Sequence, residues 1–215
     1  MNLSSLRERA RALSGIRLET LRSDEQVDAV LNEAYLELIN MTNWPFLRSS
    51  QTIAVAANVN TFTSPSGFSE VSSVTYVDEV GNSIRLTQTT IDEIDRLDTG
   101  EEGDPFYYAR LDESEFEVWP VPNKPITYTV KGKTAVDTMS TDSSQPVFAE
   151  QFHPIIAYRA ASRMLAEEGD DSGRAEAYQS EASNFYLRMQ QFYMRSGDVG
   201  MFVMGGRRRR LIDGR

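Results

Sequence analysis

FYYARLDESEFEVWPVPNKPITYTV, residues 106–130, decides the fold class. Phe106 to Leu111, Phe116 to Trp119 and Ile126 to Val130 are short runs rich in β-branched and aromatic residues, the composition that suits a pleated, half-buried strand. Asp112-Glu113-Ser114, between the first two runs, reads as a tight hairpin. Upstream, Thr52 to Val55, Val59 to Phe62, Val71 to Val77 and Ile84 to Leu86 repeat the pattern, bounded by Asn, Gly, Pro and Ser, with Asp78 to Ser83 as a further hairpin loop. Seven short strands at this spacing predict an antiparallel sandwich or barrel. Alternation over Ser73 to Glu79 is only partial, which predicts that some strands are buried on both faces. One helical interlude interrupts the strands: Thr90 can cap Ile91 to Leu97, with Ile91, Ile94 and Leu97 facing inward.

Helical patterns flank this region. Ser23-Asp24-Glu25-Gln26 has the spacing of a capping box, and Val27, Val30, Leu31, Ala34, Leu38 and Met41 follow at three- and four-residue steps. Asn43-Trp44-Pro45 stops that helix, because proline disfavours helical geometry in the residue before it. Residues 3–13 carry a thin stripe of Leu3, Leu6, Ala10 and Leu13, which predicts a short helix or an arm that orders on a partner. Beyond the strands, residues 133–147 are polar and turn-rich. Ile155, Ile156, Ala160, Ala161, Met164 and Leu165 then mark one helix, and Ala175, Tyr178, Ala182, Phe185, Met189 and Phe192 a second, ending near Ser196-Gly197. The expected fold class is therefore α+β. A bundle of the N-terminal helix and a C-terminal helix hairpin carries an inserted antiparallel β-sandwich or barrel and an extended C-terminal arm. The expected divisions are 1–47, arm and first helix; 48–132, β insertion; 133–196, linker and helix hairpin; 197–215, C-terminal arm.

Composition excludes most chemistry. The 215 residues contain no Cys and one His, His153, so thiolate metal sites, cysteine nucleophiles and paired imidazoles are out. His153 stands beside Pro154 at a helix start and reads as a capping or packing residue. Glu101, Glu102 and Asp104 share a loop, and Glu113, Glu115 and Glu117 lie on or beside one strand; both groups read as a solvated acidic rim. No phosphate-binding glycine loop or calcium loop is present. No catalytic residue, metal ligand or cofactor is assigned, and no enzyme is expected. No apolar stretch approaches the roughly 20 residues of a membrane span, and the first residues lack the apolar core of a secretory signal, so a soluble intracellular product is expected.

Charge is unevenly distributed. The chain carries −10, yet residues 1–22 hold five Arg against Glu8 and Glu19, and residues 196–215 hold five Arg against Asp198 and Asp213. Each end is thus +3, which leaves −16 for the residues between. An acidic body with basic ends is poorly made for wrapping nucleic acid. It suits ends that seek acidic partner surfaces, or a body that does not hold passing DNA; it also suits plain solubility. In the tail, Met201, Phe202, Val203 and Met204 precede Arg207, Arg208, Arg209 and Arg210. Flexible apolar anchors beside guanidinium forks fit an extended arm docking in a partner's groove. Contact with nucleic acid, or a terminus without a role, are the other readings.

Over roughly residues 20–215 the layout resembles tailed-bacteriophage head-to-tail connector proteins, the portal adaptors, head-completion proteins and tail-tube gatekeepers. The residues that carry the likeness are Asn43-Trp44-Pro45-Phe46, Phe116 to Pro122, Ile126 to Val130, the linker with Pro146, and the helix hairpin bending at Asp170-Asp171. The resemblance implies a virion protein of the head-tail neck, made in the host cytoplasm, whose partners are the portal protein, a tail or nozzle protein and itself. It implies a ring of about twelve subunits in cyclic heterologous contact. DNA would pass the ring channel without sequence-specific binding, during packaging and ejection, and no membrane is involved. The arm, Met201 to Met204 and Arg207 to Arg210, would bind the portal; Trp44, Phe106, Tyr107, Tyr108 and Trp119 would contribute to subunit or tail contacts. The alternative is a carbohydrate- or cell-surface-binding β-module using Trp119, Tyr107 and Tyr108.

Overall fold

Asn2 starts the first helix by accepting a hydrogen bond from the Ser5 backbone N–H at 3.0 Å, and Gly15 ends it in the left-handed region at φ 69°. Between them, α1 (Leu3–Ser14) buries Leu3, Leu6 and Ala10. The thin stripe is therefore a packed face of the protein's own core. α2 (Asp24–Asn40) opens with the expected capping box: Ser23 Oγ accepts from the Gln26 N–H, and Gln26 Oε1 accepts from the Ser23 N–H at 3.0 Å. Its buried residues are Val27, Leu31, Ala34, Tyr35, Leu38 and Ile39. Met41, expected on that face, sits at the helix end and is 48% exposed.

The computed structural model describes residues 1–15, 22–97, 100–168 and 171–198. They form two units: Met1–Phe46 with the described residues from Val136 onward, and Leu47–Ala135. In the first unit α4 (Pro154–Glu168) packs against α1, α2 and α5 (Ser172–Asp198). Ile155, Ile156, Ala157, Ala160, Ala161 and Met164 are wholly buried along it. α5 buries Ala175, Ala182 and Met189, but Phe192 is 50% exposed, against the expected inward stripe. Trp44 fills the end of α2, donating its indole N–H to the Leu38 carbonyl at 3.0 Å. Phe46, Tyr186 and Tyr193 surround it with ring centroids within 6.1 Å.

The polar stretch before α4 is strapped to this unit. Asn32 grips the Met139 backbone twice, donating to its carbonyl at 3.0 Å and accepting from its N–H at 2.7 Å. The Leu3 N–H reaches the Ser144 carbonyl at 2.9 Å, and the Tyr35 hydroxyl accepts from the Val147 N–H at 3.1 Å.

The second unit holds β1 (Arg48–Val55), β2 (Thr61–Thr63), β3 (Phe68–Val77), β4 (Ser83–Arg85), β5 (Thr87–Gln88), the one-turn helix α3 (Ile91–Ile94), β6 (Glu102–Gly103), β7 (Tyr107–Arg110), β8 (Glu115–Trp119), β9 (Val121–Pro122) and β10 (Ile126–Thr134). Two four-stranded sheets form, ordered β1-β10-β3-β4 and β2-β8-β7-β5, with β6-β9 as a separate pair. Both expected hairpins are present, β3-β4 and β7-β8. Asp78 and Asp112 hold them by accepting from backbone N–H groups two to four residues on. The short pairs β5-β7 and β6-β9 are parallel, a departure from the all-antiparallel expectation.

One core serves both sheets. Val55, Val74, Tyr76, Tyr128 and Val130 come from the first, Phe62, Tyr108, Phe116 and Val118 from the second, and the Phe62 and Tyr128 rings stack at 5.5 Å. β8 and β10 alternate cleanly between inner and outer residues; burial on both faces occurs in β7, where Tyr108 and Ala109 are both interior. Neither sheet closes into a barrel. Gly132 sits at a register shift between β10 and β3, where a β-carbon would overlap the Glu70 carbonyl and the Phe68 ring.

Candidate functional site

Arg7 is the centre of a charge network on the helical unit. Its guanidinium forks onto Asp28, Nε to Oδ1 at 2.7 Å and Nη2 to Oδ2 at 2.6 Å, and also reaches Asp24 at 3.2 Å and Asp142 at 2.9 Å. Arg11 pairs with Asp24 at 2.6 Å and Arg22 with Glu167 at 2.7 Å. Across α2 and α4, Arg163 pairs with Glu33 at 3.1 Å and with Glu37, which Arg159 also approaches at 3.4 Å. Much of the N-terminal positive charge is therefore spent on the chain's own carboxylates. The acidic partner that the composition called for is, for this end, intramolecular.

His153 is 2% exposed. Its Nε2 donates to the Phe148 carbonyl at 2.8 Å, leaving Nδ1 to accept from the Met1 ammonium at 2.9 Å, which also pairs with Glu150 at 2.7 Å. Burial pushes the imidazole below its ordinary pKa. With its ring edge-on to Phe148, this histidine packs and tethers. Among the described residues no cluster of His, Asp or Glu is arranged to hold a metal ion, and no helix is long and apolar enough to cross a membrane.

The aromatic residues singled out from the sequence separate into two classes. Trp44 and Tyr108 are interior, at 0% and 1% exposure. Phe106 and Tyr107 are exposed, at 55% and 37%, and Trp119 is half-buried. Tyr107 and Trp119 face each other across the β7-β8 register with ring centroids 6.0 Å apart and planes tilted by 32°. Phe106, Tyr107 and Trp119 are the members of this set that reach the surface, and Tyr108, named for a sugar platform, is buried. Leu97, expected to face inward, is 36% exposed because α3 ends at Ile94, and it lines a shallow cleft with Tyr107, Thr89, Glu93 and Arg96. The arm residues Met201 to Met204 and Arg207 to Arg210 lie outside the described residues.

Around the exposed aromatics the surface is acidic. Glu117, on the outer face of β8, is held above the ordinary carboxylate range by partial burial and then by neighbouring Asp95 and Glu115. The Asn60 amide, donating to it at 2.7 Å, offsets only part of this. On the other sheet, Lys131 and Lys133 lie two residues apart on one face of β10, and Arg48 is the register partner of Lys133. Sequence reading passed over this basic strip. The Lys131-Gly132-Lys133 period was visible, but the pairing with Arg48 joins residues far apart in the chain.

A family model described as SU10 adaptor protein matches residues 1–205. No curated protein matches the chain.

Proposed function

The chain belongs to the SU10 adaptor protein family, a family of structural phage adaptors, and from that premise we propose that it forms a ring at the head-tail junction, joining the portal to the tail. Its role in the virion is to contact other virion proteins. The observation that carries the reading is a family match over nearly the whole chain, which covers the helical unit and the β unit together. In this account the helical unit builds a ring of about twelve copies by cyclic heterologous contact. The C-terminal arm reaches the portal, and the β unit faces the tail or neighbouring subunits. The acidic body, −16 over residues 23–195, keeps the channel from retaining the DNA backbone. The chain performs no chemistry; it positions and seals.

The arm's part is tested by truncation. α5 runs to Asp198, so the cut belongs after that residue rather than at 197. Removing residues 199–215 is expected to abolish binding to purified portal rings in sedimentation while leaving the circular dichroism spectrum and melting temperature unchanged. Undiminished binding by the truncated chain would remove the arm from the account.

A further inference from the structure

The β unit carries two oppositely charged faces, and they point away from each other. Residues 47–135 hold fourteen acidic and seven basic side chains, a net −7. The bases are not scattered evenly. On the first sheet the register places Arg48 beside Lys133, Lys131 beside Ser50 and Ser73, and Arg85 beside Thr75, all on the side opposite Val74, Tyr128 and Val130. Between them stand Thr52, Thr127 and Thr129. Glu70, the partner of Lys133, is the acidic residue paired within this face. Arg48, Arg85 and Lys131 are exposed, and among the described residues none of the three is in an ion pair.

The second sheet is the reverse. Its outer face shows Glu115 and Glu117 on β8, with the exposed Tyr107 and half-buried Trp119 alongside. α3 packs on β7 and adds Asp92 and Glu93, with Asp95 just beyond it and the base Arg96 beside Tyr107 in the neighbouring cleft. Glu117 is held above the ordinary carboxylate range first by partial burial and then by Asp95 and Glu115, so a cation brought to this face would meet neighbouring negative charge. Because both sheets share one core, the two outer faces lie on opposite sides of the unit.

Either face, paired with its own two-fold-related copy, brings like charges together. The unit pairs head to tail, and a head-to-tail contact whose rotation closes on itself makes the ring proposed above. We infer that the Arg48–Lys131–Lys133–Arg85 face of one copy docks on the Glu115–Glu117–Asp95 face, with Tyr107 at its end, of the next copy in the ring. This rests on the ring reading above and assigns its subunit contact. A nucleic-acid backbone is the other ligand that a basic face attracts. It is disfavoured because Glu70 interrupts the face and the unit as a whole is acidic.

The test uses two charge-reversed full-length chains, Arg48→Glu with Lys131→Glu, and Glu115→Lys with Glu117→Lys, each checked for an unchanged circular dichroism spectrum. Assembly on purified portal rings is followed by mass photometry. Wild type is expected to assemble, and each variant alone to lose assembly on the order of tenfold or more in half-saturating concentration. An equimolar mixture of the two variants is expected to recover it, since each then presents the face that the other lacks. If either variant assembles like wild type, or the mixture stays unassembled, the contact is wrong although the ring stands. If wild type itself forms no ring, the ring reading fails and this inference with it. Retention of duplex DNA by wild type, lost in Arg48→Glu with Lys131→Glu, would reassign the basic face to nucleic acid.

Discussion

Arg7 has a side chain only 13% exposed and four hydrogen bonds and ion pairs to three carboxylates, of which Asp28 is the consequential one at 21% exposure. Asp24 and Asp142, more than half exposed, add little. Replacing Arg7 with Ala strands the half-buried Asp28 and is expected to cost about 1–3 kcal/mol in urea unfolding. Arg7→Lys should recover only part of this, because an ammonium cannot make the fork. A loss below a few tenths of a kcal/mol would demote the network to surface decoration. None of this was legible from the sequence, since Asp28 and Asp142 lie 21 and 135 residues from Arg7 and a basic run gives no sign of where its partners fold. His153 gives the pH dependence. Its folded pKa lies below the ordinary value of about 6.5. The unfolded chain therefore takes up the proton first, and stability falls as pH drops below that value toward the depressed one. The stability gap between wild type and His153→Gln should narrow between pH 7.5 and 5; a constant gap would mean that His153 does not titrate against folding.

Among the elements, local signals were read well and ends were read poorly. The Ser23 capping box and the Asp78 and Asp112 hairpins are each written within a few adjacent residues, so sequence alone suffices for them. Burial of Met41, Leu97 and Phe192 depended on where a helix stops and what lies opposite, which periodicity does not contain. Tyr107 and Tyr108 make the point most plainly: adjacent in the chain and chemically alike, they lie on opposite faces of β7, one exposed and one in the core. The stretch after β10 was read as a linker because it is polar, yet its backbone is clasped by Asn32. Asn32→Ala removes both hydrogen bonds and leaves the part-buried Met139 amide unpaired. The expected cost is about 1–3 kcal/mol, with faster hydrogen exchange concentrated in residues 136–147. Unchanged exchange there would mean that the strap is held by other contacts.

For the whole molecule, the α+β class and the connector likeness were legible, because they rest on the order of elements and on the strand-rich residues between two helical regions. The surfaces were not. The basic face of the β unit joins Arg48 to Lys131 and Lys133 through strand pairing, and the exposed aromatic strip is fixed by the β7-β8 register. Within the β unit, net −7, the sequence thus conceals a patch of the opposite sign, and the proposed subunit contact uses that patch. The account stands or falls on assembly. The decisive measurement is mass photometry of purified portal rings mixed with the full chain of 24.2 kDa. The account predicts one discrete added species whose mass corresponds to a closed ring, with no ladder of intermediates once saturated. Binding of single copies without closure, or no binding, would contradict it.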